Sequence, residues 1–412
     1  MPNRRQFLRD AAVFTLLGGG AVLLPRSLRA AVPFDSADLP GGTIEASILD
    51  ALDGKRPLIK RTFRPPNYET PVSYFNQAFT PNDAFFVRYH LSNIPAVDAQ
   101  TWRLRIGGDS VERPFELTLA ELQDPKNFEP VELAAVCQCS GNRRGLNQPY
   151  VSGIEWGYGA MGNARWQGVR LKDVLAKSGV KPAALEVAFN GADRGVLDAT
   201  PDFVKSLPLW KALDENTLIA FAMNGAPLPH WNGYPARLVV PGWTATYWMK
   251  HLVDINVVSR PFDGFWMKTA YRIPLGKFPL VDRFVSQETE KNTPITEMVV
   301  NSLITNLKPG QRFAFGQRVE VRGIAWDGGY GIRAVEVSTD GGRFWRNAEL
   351  DRDYGRYAWR QWRFGFKPGK KGRYAILAKA TNYAGSTQTF ELIRNPAGYH
   401  HNVVQQLDVV VA

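Results

Sequence analysis

The chain has 412 residues, 44% hydrophobic and 12% aromatic, and 50 basic against 39 acidic side chains set its formal charge at +11. That composition excludes a mostly disordered or collagen-like protein, and at about 150 residues per domain the length predicts two or three domains with cores of their own. The two cysteines, Cys137 and Cys139, are too few for a disulfide framework and, two apart, are badly placed to bridge each other.

In chain order, residues 1–30 read as an export segment. Arg4-Arg5-Gln6-Phe7-Leu8-Arg9 precedes an uncharged stretch from Ala11 to Leu24, which is shorter than the roughly 20 apolar residues needed to span a bilayer. The pattern predicts a cleavable signal of the twin-arginine type, the alternative being an uncleaved membrane anchor. The segment carries five arginines against one acid (+4), which leaves +7 for the remainder. That remainder has no Lys/Arg runs, so nucleic acid is not an expected partner. Export by this route, which carries folded proteins, points to a periplasmic location, a cofactor inserted in the cytoplasm, and contact with membrane during export only.

Residues 31–290 are expected to form the cofactor-binding domain. Its first part, 31–80, is rich in Pro and Asn and reads as an irregular arm. From Phe85 to about Val258, short Val/Phe/Leu-rich strands such as Ala236–Val240 alternate with amphipathic helix starts at Leu117–Leu122 and Leu171–Leu175. Helices and strands mix without a regular βαβ repeat, which predicts an α+β fold. Gln287–Pro294 is polar and reads as a linker. Residues 291–412 then become purely β: Val319, Val321 and Gly323, Val335 and Val337, Tyr374, Ile376 and Ala378, and Val409 and Val411 alternate with polar residues. This predicts an immunoglobulin-like sandwich. No residue of that segment reads as catalytic, so its expected role is assembly.

Five histidines lack H-x3-H or HExxH spacing, there is no CxxCH, GxxxxGK[ST] or GxSxG, and no GxGxxG opens a helix after a strand. Haem, nicotinamide, ATP-hydrolysing and serine-hydrolase chemistry therefore lack their usual anchors. What remains is Val136-Cys137-Gln138-Cys139-Ser140-Gly141-Asn142-Arg143-Arg144. A thiol beside a Gly-Asn turn and two guanidinium groups is expected in a positive field that lowers its pKa, which suits a soft metal, with arginines to hold an anion beside it. The alternative is two small buried thiols before a basic turn.

Together with Phe86-Val87-Arg88-Tyr89-His90, Gly153-Ile154-Glu155-Trp156, Ala270-Tyr271-Arg272, Asn190-Gly191-Ala192-Asp193, Met223 to Pro229, Gly233 to Arg237 and Val240 to Lys250, this motif resembles the sulfite oxidase family of molybdenum enzymes along essentially the whole chain after residue 30. The resemblance implies a sulfite-oxidase-type molybdopterin domain followed by an all-β, immunoglobulin-like dimerisation domain. It implies that Cys139 is the molybdenum ligand and that Arg88, Arg144, Tyr271, Trp156 and His90 are catalytic. Phe86, Arg88, Tyr89, His90, Asp193, Asn232, Arg237, Trp248, Met249 and Lys250 are implied to hold the pterin. Asn232 stands where vertebrate members carry His, and an amide cannot become cationic beside a phosphate.

The activity so implied is oxidation of sulfite to sulfate at a molybdenum–molybdopterin cofactor. No haem is expected in this chain, so electrons would leave singly to a separate c-type cytochrome. The assembly would be a homodimer or a heterodimer with a haem subunit. Other readings are a sulfane dehydrogenase subunit, a reductase of oxidised methionine, a cofactor-less binding module on the same fold, and a cell-surface adhesion protein built on the β-sandwich.

Overall fold

The computed structural model describes residues 49–50, 52–276 and 291–412. The export segment and residues 287–290 of the expected linker lie outside them. Strands dominate the described residues. Among the described residues the α-helices are few and short: Leu119–Gln123, Leu171–Ser178, Leu209–Ala212 and Phe265–Lys268. The first starts on a capping box in which Thr118 Oγ1 accepts from the Glu121 N–H and the Glu121 carboxylate accepts from the Thr118 N–H. The second ends at Gly179, in the left-handed region where glycine closes a helix without a Cβ clash. Both fall on the helix starts expected from periodicity. Among the described residues no helix is long and apolar enough to cross a membrane.

Three sheets build the first part of the fold. Residues 31–80, expected to be irregular, instead contribute the strands Leu49–Asp50, Leu58–Thr62 and Asn67–Glu69, which pair in that order and then with Val87–Arg88. The arm escaped prediction because its strands are three to five residues long or shorter and interrupted by Pro. A buried ion pair closes this sheet: Arg61 donates to Glu69 at 2.7 Å, and the second Glu69 oxygen accepts from the Gly157 N–H at 2.7 Å. A second sheet runs Val204–Pro208, Glu186–Gly191, Leu252–Val258, Leu104–Gly107, Phe115–Leu117. The third places Met161–Arg170 between Pro130–Gln138 and Leu218–Met223, with Arg237–Val239 also pairing to the latter.

The C-terminal part is a two-sheet β-sandwich. One sheet runs Asn301–Ile304, Val319–Trp326, Arg360–Phe366, Glu349–Leu350; the other runs Arg312–Phe313, Gln405–Val411, Gly372–Asn382, Ile332–Ser338, Arg346–Asn347. The valines that alternated in sequence, Val319, Val321, Val335, Val337 and Val409, face one another in its core with Trp362 and Ile376. Asn292–Pro294, expected within a linker, forms a strand against Arg272–Pro274. Isolated polar residues paired to a distant strand carry no local signal.

The described residues belong to one compact unit, and the reason is a mixed apolar cluster. Phe75, Val136 and Met161 pack with Met298, Leu303, Ile324, Trp326 and Trp359 of the sandwich. Polar contacts fix the register: Trp326 Nε1 donates to Gln138 Oε1 at 2.6 Å, and the Val136 N–H donates to the Tyr357 carbonyl at 2.9 Å. Arg143 is the central bolt. It is 1% exposed, donates to the Ser302 carbonyl at 2.7 Å, and lies 4.8 Å from the Tyr158 ring and 5.6 Å from Trp326. Burial lowers its pKa to about 10, opposed by the field of Tyr158. Carbonyl oxygens and ring faces solvate a delocalised guanidinium in a way that an ammonium cannot reproduce. Arg143→Ala is therefore expected to cost about 2–4 kcal/mol in chemical denaturation, and Arg143→Lys to recover less than half of it.

Candidate active site

The strand Pro130–Gln138 sorts its side chains by its period of two. Ala135, Cys137 and Cys139 turn into the large apolar core of the first part, while Val136 and Gln138 turn toward the sandwich. Cys137 and Cys139 thus share one face and end at a cavity of about 650 Å3, part of it open to solvent. Both are free thiols. A Cβ at Gly141 would lie 2.7 Å from Arg144 Nη1, so a side chain there would displace that guanidinium.

Twelve of the residues expected in the site line this cavity: Phe86, Arg88, Tyr89, His90, Cys139, Asp193, Asn232, Arg237, Trp248, Met249, Lys250 and Tyr271. Arg144 and Trp156 are not among its lining residues. Arg144 donates through Nε to the Ala397 carbonyl at 2.8 Å and through Nη1 to the Ile154 carbonyl at 3.2 Å. Trp156 is fully buried in the main core, and its carbonyl accepts from the Gly145 N–H. The guanidinium groups of the Arg143-Arg144 pair are themselves held by carbonyls, Arg143 by Ser302 and Arg144 by Ala397 and Ile154. The cation at the thiols is Arg237, whose Nη2 lies 3.8 Å from Cys137 Sγ. Even so, burial pushes the Cys137 thiol up to about 11, outweighing the arginine.

Arg237 is 3% exposed. It donates to the carbonyls of Asn232 (2.9 Å) and Trp248 (3.1 Å) and stacks near Trp166 and Trp248. Burial lowers its pKa. Lys250 donates to the Trp231 carbonyl at 3.3 Å and lies over the Tyr89 ring; burial depresses it strongly, against the attraction of Asp193. Burial raises Asp193 in turn, opposed by Lys250. Tyr89 is oriented from behind by His251. Because the Tyr234 carbonyl can only accept, His251 Nδ1 carries the proton at 2.7 Å from it, and the Tyr89 hydroxyl donates to Nε2 at 2.6 Å. His251, held by burial at about 3, stays neutral.

On the other side of the thiols, His90 Nε2 is in close hydrogen-bond contact with the Tyr271 hydroxyl. The Arg88 guanidinium bonds to the same hydroxyl. An arginine can only donate, so Tyr271 accepts from Arg88 and donates to His90, which then holds its own proton on Nδ1. The imidazole stacks on Phe203 at 3.7 Å, and burial with the fields of Arg88, Lys250 and Lys205 keeps its pKa well below the ordinary histidine value.

Three groups had no warning in the sequence. Lys55, from the arm, is buried and donates to Asn82 O (2.6 Å), Phe85 O (3.0 Å) and Asn232 Oδ1 (2.5 Å). Asn232 Nδ2 donates to the Phe86 carbonyl at 3.1 Å. The amide is thus polarised by a cation behind it, which bears on the absence of His at this position. Burial brings Lys55 down to about 7, against the attraction of Asp83. Lys205, fully buried, lies 4.7 Å from the Tyr247 ring and 5.3 Å from Tyr271. Tyr399, from the sandwich, stacks on Tyr271. A lone lysine in a Pro-rich arm carries no motif, and the run Asn395-Pro396-Ala397-Gly398-Tyr399 resembles the family's dimerisation domain without pointing to the site.

These residues fit an anionic, metal-bearing cofactor. The charged lining is three cations, Arg88, Arg237 and Lys250, against Asp193 alone. The hydroxyls of Ser140 and Thr246 line the same cavity, and with Arg237 Nε they are buried without a hydrogen-bond partner, a costly state that a polar ligand relieves. Among the described residues no three His, Cys, Asp or Glu side chains cluster around a metal position, so a metal on Cys139 requires its remaining ligands from the cofactor. Lys55→Met is expected to lower pterin and metal retained per chain by about fivefold while far-UV dichroism is unchanged, since the polarising charge behind Asn232 is lost. The check is metal analysis with pterin fluorescence after denaturation.

The chain is similar along its length to known molybdopterin-binding proteins. Residues 90–266 match the oxidoreductase molybdopterin binding domain, and residues 292–411 match the Mo-co oxidoreductase dimerisation domain. Mitochondrial sulfite oxidase of Macaca fascicularis is 35% identical over 387 residues, covering 90% of this chain and 69% of the relative. Sulfite oxidase of Arabidopsis thaliana is 30% identical, covering 73% and 78%. The crystal structure of the sulfane dehydrogenase SoxCD from Paracoccus pantotrophus superposes with a TM-score of 0.72 at 25% identity, over 98% of this chain and 96% of that one. With a molybdopterin-binding domain followed by a dimerisation domain, this chain belongs to the sulfite oxidase family.

Proposed function

We propose that the protein oxidises sulfite to sulfate at a molybdenum–molybdopterin cofactor and passes the electrons one at a time to a separate c-type cytochrome. In the same proposal the chain is exported through a twin-arginine signal at 1–30 and works in the periplasm, as a homodimer or with a haem subunit. The observation that carries the reading is the Arg88–Tyr271–His90 cluster at the wall that also bears Cys139. It combines a fixed cation, an oriented hydroxyl and a soft ligand.

Arg237, Lys250, Asn232 and Asp193 would hold the pterin and its phosphate, and Cys139 the molybdenum. When bound, the cofactor supplies the oxygen-atom transfer and accepts the two electrons released as sulfite and water become sulfate and two protons. The chain does the rest. Arg88 offers a charge-assisted donor to a sulfur oxyanion. The Tyr271 hydroxyl, raised in pKa by burial, keeps its proton and, with its rotor set by His90 Nε2, meets the anion in one orientation. His90 is neutral and accepts through Nε2, so it adds no positive charge that would tighten the hold on the sulfate product. The aromatic wall of Phe86, Phe203 and Trp248 excludes water and strengthens each of these interactions.

The superposition on a sulfane dehydrogenase sustains one second reading, in which the substrate is a protein-bound sulfane. Metal analysis of the exported chain, followed by sulfite-dependent reduction of ferricytochrome c, separates the two. About one molybdenum per chain with rapid reduction supports sulfite oxidation. Molybdenum without sulfite turnover transfers the assignment to the sulfane.

Cys139→Ser is expected to abolish turnover while the pterin stays bound through Arg237 and Lys250; full activity in that variant would remove Cys139 from the metal. Arg88→Gln is expected to raise the sulfite KM about 10- to 100-fold, the worth of a charge-assisted hydrogen bond. An unchanged KM would take Arg88 out of the substrate side.

A further inference from the structure

The C-terminal sandwich, expected only to assemble subunits, sends one side chain to the substrate side of the site. Tyr399 lies parallel to Tyr271, with ring centroids 5.6 Å apart and planes at 7°. The Arg144 guanidinium lies 5.2 Å from the Tyr399 ring. Tyr271 meets a second cation, Lys205, at 5.3 Å from its own ring. Two stacked phenol rings are therefore bracketed by cations, an arrangement favoured by the negative faces of the rings.

The segment that presents Tyr399 is rigidly tied. Asn395 Oδ1 accepts from the Tyr399 N–H at 3.0 Å, and Asn395 Nδ2 donates to the Tyr399 carbonyl at 2.8 Å. Gly398 has φ +61, and a Cβ there would lie 2.6 Å from Val151 Cγ2 and 3.0 Å from Arg144 Cγ. Ala397 accepts from Arg144 Nε, so the turn grips this arginine by a carbonyl and a ring at once. Tyr399 is 7% exposed; burial raises its pKa, and the charges of Arg144 and Arg88 act on it. Neither Tyr271, at φ +61, nor Arg144 has a carboxylate partner among the described residues to set its position.

We propose that Tyr399 is a positioning residue for the substrate side of the site: its ring, stacked on Tyr271 and capped by Arg144, sets where the Tyr271 hydroxyl meets a small sulfur oxyanion. Affinity for the anion thereby depends on the C-terminal sandwich. The proposal rests on the reading of this site as one for a sulfur oxyanion. Loss of the ring frees Tyr271 and Arg144 to sample other rotamers, which weakens anion binding more than turnover at saturation.

The test uses the full-length, cofactor-loaded enzyme, with all constants normalised to molybdenum. Wild type, Tyr399→Leu and Tyr399→Phe are compared in sulfite KM, kcat and inhibition by sulfate. Tyr399→Leu is expected to raise both KM and the sulfate inhibition constant about tenfold, with kcat within about threefold, the magnitude of an aromatic pair plus a cation–π contact. Tyr399→Phe, which keeps the ring, is expected to recover both to within about threefold. A wild-type KM in Tyr399→Leu overturns the proposal. So does equal impairment of both variants, which would assign the effect to the hydroxyl. If Tyr399→Leu fails to accumulate, Tyr399→Met replaces it with the same expected outcome. A wild type that does not turn over sulfite would instead count against the sulfite reading itself.

Discussion

Positive charge is buried around this cavity with few carboxylates to match it, and the remaining architecture follows from how that charge is accommodated. Arg237 and Arg143 are almost fully enclosed, yet each is met by backbone carbonyls and indole or phenol faces. Lys55 is surrounded by three oxygens, and Lys205 by a carbonyl and two rings. Desolvating a cation without a counter-ion is unfavourable, and neutral oxygens offset this only in part. The residual positive potential is directed into the cavity, where an anionic cofactor and an anionic substrate lower the cost further.

A single strand distributes these roles. Pro130–Gln138 gives its odd-numbered side chains from Ala135 to the cavity side and its even-numbered ones to the sandwich. A shift of one residue would exchange Cys137 and Cys139 for Val136 and Gln138, so the site and the packing of the sandwich are set by the same register. The Trp326–Gln138 bond and the Arg143 contacts hold that register from the C-terminal side. Tyr399 then extends the coupling from packing to the substrate wall.

Much of the site was legible because its chemistry is carried in contiguous segments. Cys-x-Gly-Asn-Arg-Arg, the Phe86–His90 run and the Val240–Lys250 stretch each bring several lining residues together, and a short segment keeps its internal geometry wherever the fold places it. The field around the thiols was not legible. Adjacent arginines in sequence suggested a cationic thiol environment, but a guanidinium reaches several ångströms from its backbone, and Arg143 and Arg144 donate to the carbonyls of Ser302, Ala397 and Ile154, while the hydrogen bond to a thiol comes from Arg237. Trp156, grouped with the substrate pocket by resemblance, is enclosed in the core. The strands of residues 49–69 escaped notice because each is too short to show a period.

The sequence by itself determined the α+β part, the β-sandwich with its alternating valines, the family, and the residues that converge on the cavity. It could do so because hydrophobic period and compact motifs are local properties. Tertiary structure alone decided which cation meets Cys137, what lies behind Asn232, and that Tyr399 stacks on Tyr271. Each of these joins side chains one hundred or more residues apart. Such pairs leave no local pattern, because they arise only when separate sheets close around the same buried charge.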